Sequence, residues 1–120
     1  MKSIIASVVA LSSLVAAAGV MAEEMPALAK KLNCTACHAI DKRVVGPAWR
    51  DVARRYTGNG VTKYTYNGKE YPLIEGLVMK VSHGGSGNWG SMPMPANDPS
   101  GAKQAEITEL VKFEQSLATK

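Results

Sequence analysis

The chain is poor in cysteine. Its 120 residues hold two, Cys34 and Cys37, with none elsewhere. Two cysteines cannot build the framework of a disulfide-stapled domain. They cannot complete a zinc site unaided either, because zinc takes four ligands. Aromatic residues are scarce at 6%, with a single Phe, so the core cannot rest on large rings. Histidine is limited to His38 and His83, which leaves few imidazoles for acid–base chemistry or metal binding. No run of like charge is long enough for a nucleic-acid arm, and there are no internal repeats or low-complexity segments.

What is present starts with an export pattern. Residues 1–22, "MKSIIASVVALSSLVAAAGVMA", carry one cation, Lys2, then an apolar and small-residue run from Ile4 to Val20. The segment ends Val20-Met21-Ala22, before the acidic pair Glu23-Glu24. This is the layout of a secretory signal peptide. As a membrane anchor the run is barely long enough, and Ser3, Ser7, Ser12, Ser13 and Gly19 dilute it. The expectation is a signal peptide over 1–22 and one domain over 23–120, with no stable membrane insertion after cleavage. Loss of Lys2 lowers the formal charge from +4 to +3, a mildly basic balance without nucleic acid as a partner. A domain this small, with few large side chains, buries a modest core and leans on a staple or a bound group.

The stretch Cys34-Thr35-Ala36-Cys37-His38 admits four readings: a disulfide, a redox-active Cys-X-X-Cys, a zinc site completed by His83, and c-type haem attachment, whose signature is C-x-x-C-H. Zinc would crowd three ligands into five residues. The haem reading gives every position a task. Two thiols three residues apart lie within about one helical turn, so both reach the vinyl groups on one porphyrin edge. The next residue puts its imidazole on the iron. Attachment follows export, in agreement with the N-terminal segment. One covalent haem c is therefore expected, held by Cys34 and Cys37, with His38 as an axial iron ligand.

Periodicity divides the rest of the chain. "EEMPALAKKLNCTAC" reads as a first helix with Pro26 in its first turn. "AWRDVARRY" places Trp49, Val52, Ala53 and Tyr56 on one helical face, with Trp49 in the core and touching the porphyrin. Asn67-Gly68 predicts a two-residue hairpin turn between Tyr64–Tyr66 and Tyr71, its tyrosines laid on the body of the protein. "PLIEGLVMKVSH" reads as a helix broken early by Gly76 and ended by Gly84-Gly85. Residues 84–101 form a long loop rich in Gly, Pro, Asn and Ser, a kind of segment that is usually functional or disordered; its Trp and two Met argue for order. The final stretch carries an amphipathic helix with Ile107, Leu110, Val111 and Leu117 in one stripe and Phe113 at its edge.

A second axial ligand is sought among His83, Met25, Met79, Met92 and Met94. Met25 and Met79 fall in helices, where core is the default, and His83 ends a helix. Met92 and Met94 each precede a proline, which holds them in extended backbone and lowers the entropic cost of keeping sulfur on iron. Spacing and pattern narrow the choice to this pair.

The composite of "CTACHAID", "VGPAWRDVARRY" and "HGGSGNWGSMPMPAN" resembles the short class I monohaem cytochromes c of bacterial periplasms. The resemblance covers nearly all of residues 24–118 except the hairpin. It implies an all-α fold, small helices wrapped around one covalent haem, here with a small β-hairpin insertion. In that family the distal ligand is the Met of Trp-Gly-x-x-Pro-Met-Pro, which selects Met94 and leaves Met92 packed in the haem wall. It further implies that the Pro47 carbonyl orients His38, that Trp89 donates to a haem propionate and that Asn97 lies near the Met ligand. Lys80 stands where relatives often carry Arg, so it would meet a propionate as a point charge. Ala96 replaces a common second proline.

The function implied is a periplasmic electron carrier with His/Met ligation, which raises the haem potential. Six-coordinate iron leaves no open position for a substrate, so the chain is not expected to be an enzyme. Its partners would be redox proteins, docked transiently by a monomer. The alternative is a dedicated haem subunit of a periplasmic dehydrogenase or oxidase complex, which the hairpin could serve. With no counterpart in the shortest relatives, the hairpin is expected to be dispensable for haem ligation.

Overall fold

The computed structural model describes residues 23–120, and the signal-peptide expectation for residues 1–22 lies outside the described residues. The first helix, α1 (Ala27–Lys31), is much shorter than expected, and Pro26 sits at its N-cap instead of inside it. The cause is Asn33, which takes a left-handed conformation (φ 60°) and ends the helix. Asn is one of the few non-glycine residues that visits that region readily. The chain then tightens into a 3₁₀ turn, Cys34–Ala36.

Helix α2 (Trp49–Arg55) follows the periodicity, with Trp49, Val52 and Ala53 buried and Asp51 in its first turn. Arg54 and Arg55 in its last turn complement the helix dipole. Strands β1 (Lys63–Tyr66) and β2 (Lys69–Pro72) pair antiparallel, Tyr64 opposite Tyr71 and Tyr66 opposite Lys69. Asn67 (φ 48°) and Gly68 (φ 77°) both adopt positive φ, as a type I′ turn requires. The inward strand face carries Tyr64, whose ring meets Tyr56 edge-on at 5.5 Å between centroids.

β2 runs directly into α3 (Leu73–His83), and the Leu73 N–H donates to the Thr62 carbonyl at 2.9 Å, closing the base of the hairpin. Gly76 does not break α3, contrary to expectation. It is buried inside the helix, where a Cβ would fall 2.7 Å from the Tyr64 Cβ. The glycine serves close approach of β1 to α3, which offsets its poor helix propensity.

Helix α4 (Gln104–Ser116) continues into a 3₁₀ turn, Leu117–Thr119, and packs against α1, α2 and α3. It divides the core in two. Ile107 and Val111 join Val52, Tyr56, Tyr64, Leu73, Leu77 and Val78. Leu110 joins Ala29, Ile40, Trp49, Ala53 and Leu117. Ala29 and Ala53 are fully buried, their small side chains letting the helices come close. Arg50 ties the far end of the chain down, pairing with Asp41 and donating to the Leu117 and Lys120 carbonyls. The result is a mostly helical domain with one small hairpin, open along a cleft between the two halves of its core.

Candidate functional site

The cleft has two opposed walls. One is made by the turn after α1. The Cys34 carbonyl accepts from both the Cys37 N–H (3.2 Å) and the His38 N–H (2.9 Å). This double acceptance winds the chain tightly enough for Cys34, Cys37 and His38 all to line one cavity. Neither cysteine is in a disulfide, and both side chains are half-buried. Burial pushes the Cys34 thiol up, with the charges of Glu114 and Cys37 adding to it against a backbone hydrogen bond.

His38 is held from behind. Its Nδ1 lies 2.8 Å from the Pro47 carbonyl. A carbonyl only accepts, so Nδ1 carries the proton and Nε2 keeps its lone pair. Burial lowers the His38 pKa, opposed by the Pro47 bond, and so favours the neutral imidazole that binds metal. Gly46 packs against the ring so closely that a Cβ there would sit 2.5 Å from Cε1. Trp49 lies 6.2 Å from the imidazole, centroid to centroid, and closes the floor.

The opposite wall is the loop after α3. Gly85 and Met94 form an antiparallel bridge, with N–H···O distances of 3.0 and 2.9 Å in the two directions. Asn97 anchors the segment after Met94 to the end of α3: its side-chain amide donates to the Val81 and Pro95 carbonyls, each at 3.2 Å. Gly84, with φ 77°, has Ala96 N 2.9 Å from where a Cβ would stand, so α3 and this strap meet through a glycine. The hairpin grips the same point, because the Tyr66 hydroxyl donates to the Gly84 carbonyl at 2.8 Å.

Of the proposed second ligands, Met92 and Met94 line the cleft, whereas Met25 packs against the Ala29 cluster and Met79 lines a separate groove beside the hairpin. His83 is exposed at the end of α3. Met94 is half-buried, while Met92 is 62% exposed and sits at the cleft mouth instead of packing fully into the wall. Lys80, Trp89 and Asn97 also line the cavity. Lys80 is half-buried, its pKa lowered by burial. The guanidinium of Arg55 stacks 4.5 Å over the Trp89 ring and also donates to the Asn88 carbonyl.

The donor set fits a c-type haem: two thiols on one edge, a neutral imidazole with a free Nε2 on one wall, and a thioether on the other. The walls between them are mainly apolar. The cytochrome c family model matches residues 22–118. The chain belongs to the cytochrome c family. This cytochrome is 38% identical to cytochrome c-551 of Azotobacter vinelandii over 84 residues, which cover 70% of this chain and 89% of that one. It is 40% identical to cytochrome c-551 of Allochromatium vinosum over 86 residues, 72% and 78% of the two chains. The crystal structure of Nitrosomonas europaea cytochrome c552 superposes with a TM-score of 0.58 at 34% identity, covering 75% of this chain and 95% of that one. The cofactor of this cytochrome is accordingly one covalently attached c-type haem. It is a small electron carrier and not an enzyme.

Sequence reasoning passed over two cleft residues. Tyr64 comes from the hairpin whose tyrosines were expected on the body of the protein, but no place in the cleft was read for it, and it lines the cavity. Glu114 also lines it, although a carboxylate on α4 reads as solvated. A signal for Glu114 existed: it falls seven residues after Ile107, on the buried stripe of the helix.

Proposed function

We propose that the chain is a periplasmic electron carrier in which Cys34 and Cys37 hold the haem by thioethers and His38 Nε2 and Met94 Sδ are the axial ligands. The observation that carries this reading is the opposition of the two walls. His38 is oriented by Pro47 on one side, and on the other Met94 is bridged to Gly85. The haem supplies a one-electron change between ferric and ferrous iron. The protein would hold His38 and Met94 in place in either state. Pro47 sets the imidazole plane and its basicity, and the strap between Gly85 and Asn97 holds the thioether in place. Lys80 and Trp89 line the same cavity, where they would meet the propionates.

Val44, Val45 and Met92 are exposed apolar side chains, at 45%, 42% and 62%. Val45 and Met92 border the cleft itself. Such side chains suit brief docking of a redox protein, steered by Lys42 and Arg43 toward an acidic face. The dedicated-subunit reading has less support, because the exposed residues of the two strands are mostly polar: Lys63, Thr65, Lys69 and Glu70, with Pro72 the one apolar exception. Among the described residues no helix is long and apolar enough to cross a membrane.

The test is the sulfur-to-iron charge-transfer band of the oxidised protein. Met94→Ala abolishes the band and lowers the reduction potential. Met92→Leu, nearly volume-conserving, retains it and costs less than about 1.5 kcal/mol of stability. The double substitution is measured beside the singles, since a neighbouring sulfur could swap in. A band that survives Met94→Ala and disappears with Met92→Leu reverses the assignment.

A further inference from the structure

The cleft holds a carboxyl group that has no part in ligation. Glu114 lies on the inner face of α4, on the cavity wall, near enough to Cys34 that its charge raises the thiol. Its surroundings are ordered. The Gln115 Nε2 donates to Glu114 Oε1 at 3.1 Å. Gln115 is itself 4% exposed, and its Oε1 accepts from the Thr57 hydroxyl (2.6 Å) and the Thr57 N–H (3.3 Å). This chain anchors one carboxyl oxygen and leaves Oε2 without a protein donor among the described residues.

We propose that Glu114 is a protonation site coupled to the redox state of the haem, so that reduction is accompanied by proton uptake at Glu114 Oε2. The inference rests on the haem-carrier reading above. A carboxylate in this cleft is stabilised by the extra positive charge of oxidised iron and loses that stabilisation on reduction. One electron arrives from a reduced redox protein, one proton arrives from solvent, and Glu114 passes from carboxylate to carboxylic acid; oxidation reverses both. Gln115 serves either state, because its amide donates to Oε1 in each.

The charged groups on the packed elements do not cancel the effect. α1 offers Lys30 and Lys31, both exposed. On α2, Arg50 is committed to Asp41, Arg55 lies over Trp89, and Asp51 and Arg54 are exposed. α3 contributes Lys80 to the cleft, and Lys103, Arg43, Tyr56 and Tyr64 also border it. None of them acts appreciably on the Glu114 carboxyl. Burial pushes its carboxyl up to about 8, with only the Gln115 hydrogen bond opposing. The site is thus poised in a range where one unit of charge decides its protonation. A unit charge felt at roughly 10 Å, at an effective dielectric of about 20, alters an affinity on the order of tenfold.

The experiment is redox titration of the holoprotein between about pH 5 and 9. The sign follows from tighter proton binding in the reduced form: the potential falls as pH rises, between the pKa of the oxidised form and that of the reduced form. Each tenfold difference in proton affinity amounts to about 59 mV of total fall for one electron. Glu114→Gln flattens this fall and leaves the Met–iron band in place. Should Glu114→Gln fail to incorporate haem, redox-difference infrared spectra of the wild type decide, through a protonated-carboxyl stretch that grows on reduction. A pH-independent wild-type potential overturns the proposal. So does a Glu114→Gln protein with the full fall, which assigns the titration to a propionate or to Lys80. Absence of a c-type haem spectrum in the wild type is a different failure, which removes the carrier reading itself.

Discussion

Tyr66→Phe removes one oxygen atom, and its consequence can be worked from the structure. The Tyr66 hydroxyl donates to the Gly84 carbonyl at 2.8 Å, and no backbone N–H of the described residues donates to that oxygen. Gly84 is buried. A typical net hydrogen bond is worth roughly 0.5–1.5 kcal/mol, and a buried acceptor left without a donor costs about 1–3 kcal/mol. The hydroxyl is half-buried, and water can replace part of the bond, so the loss is about 1–2 kcal/mol. Its location matters more than its size. Gly84 joins α3 to the strap bridged from Gly85 to Met94. The loss should therefore fall on opening of the strap as well as on global unfolding.

A change of that size raises an equilibrium by a factor of roughly 5–30. With the proposed Met94 ligation, imidazole added to the oxidised protein would bind iron only when Met94 has left it, so its apparent affinity would report the open population. Tyr66→Phe should bind imidazole roughly ten times more tightly and lose the sulfur-to-iron band at a lower temperature than the wild type. An unchanged imidazole affinity, with the global unfolding midpoint lowered, would show that Tyr66 is ordinary core. No change in either refutes the reasoning. The expectation that the hairpin is dispensable for ligation stands opposed to this prediction.

Two further substitutions probe close contacts. Gly76→Ala adds a methyl 2.7 Å from the Tyr64 Cβ and 3.1 Å from its carbonyl oxygen; the gain of up to about 1 kcal/mol in helix propensity is outweighed by overpacking of about 1–3 kcal/mol, so the denaturant midpoint should fall, and a rise would contradict the close approach of β1. Gly46→Ala places a methyl 2.5 Å from His38 Cε1, which should turn the imidazole away from the Pro47 carbonyl; altered proximal-histidine resonances in the haem-bound protein check it, and native shifts would count against the tight packing.

Local patterns in the sequence indicated most of the frame because each is a short-range physical constraint. Asn67-Gly68 demanded positive φ at both positions, and both have it. The stripe of Ile107, Leu110, Val111 and Leu117 is buried along α4 and the 3₁₀ turn that continues it. The extent of the first helix was not legible, since a left-handed Asn33 is a choice made by the turn that follows, not by the helical pattern before it. Gly76 was misread for a related reason. Propensity counts the cost of a glycine in a helix, whereas the compensating contact, Tyr64 on a neighbouring strand, is visible only once the two elements are packed.

The same distinction explains the site. Cys34, Cys37 and His38 are neighbours in sequence, so their convergence could be expected from spacing alone. The link from Tyr66 to Gly84 spans eighteen positions and depends on how β1 lies across α3. Glu114 lies between these cases. Its place on the buried stripe was readable, and a carboxylate there conflicts with burial unless a partner meets it. Gln115, the next residue, supplies one hydrogen bond, and that bond does not neutralise the charge. A group so placed must either carry its proton or find a positive charge in the cleft. Oxidised iron offers such a charge and reduced iron withdraws it, so the carboxyl on the stripe is tied to the electron the protein carries.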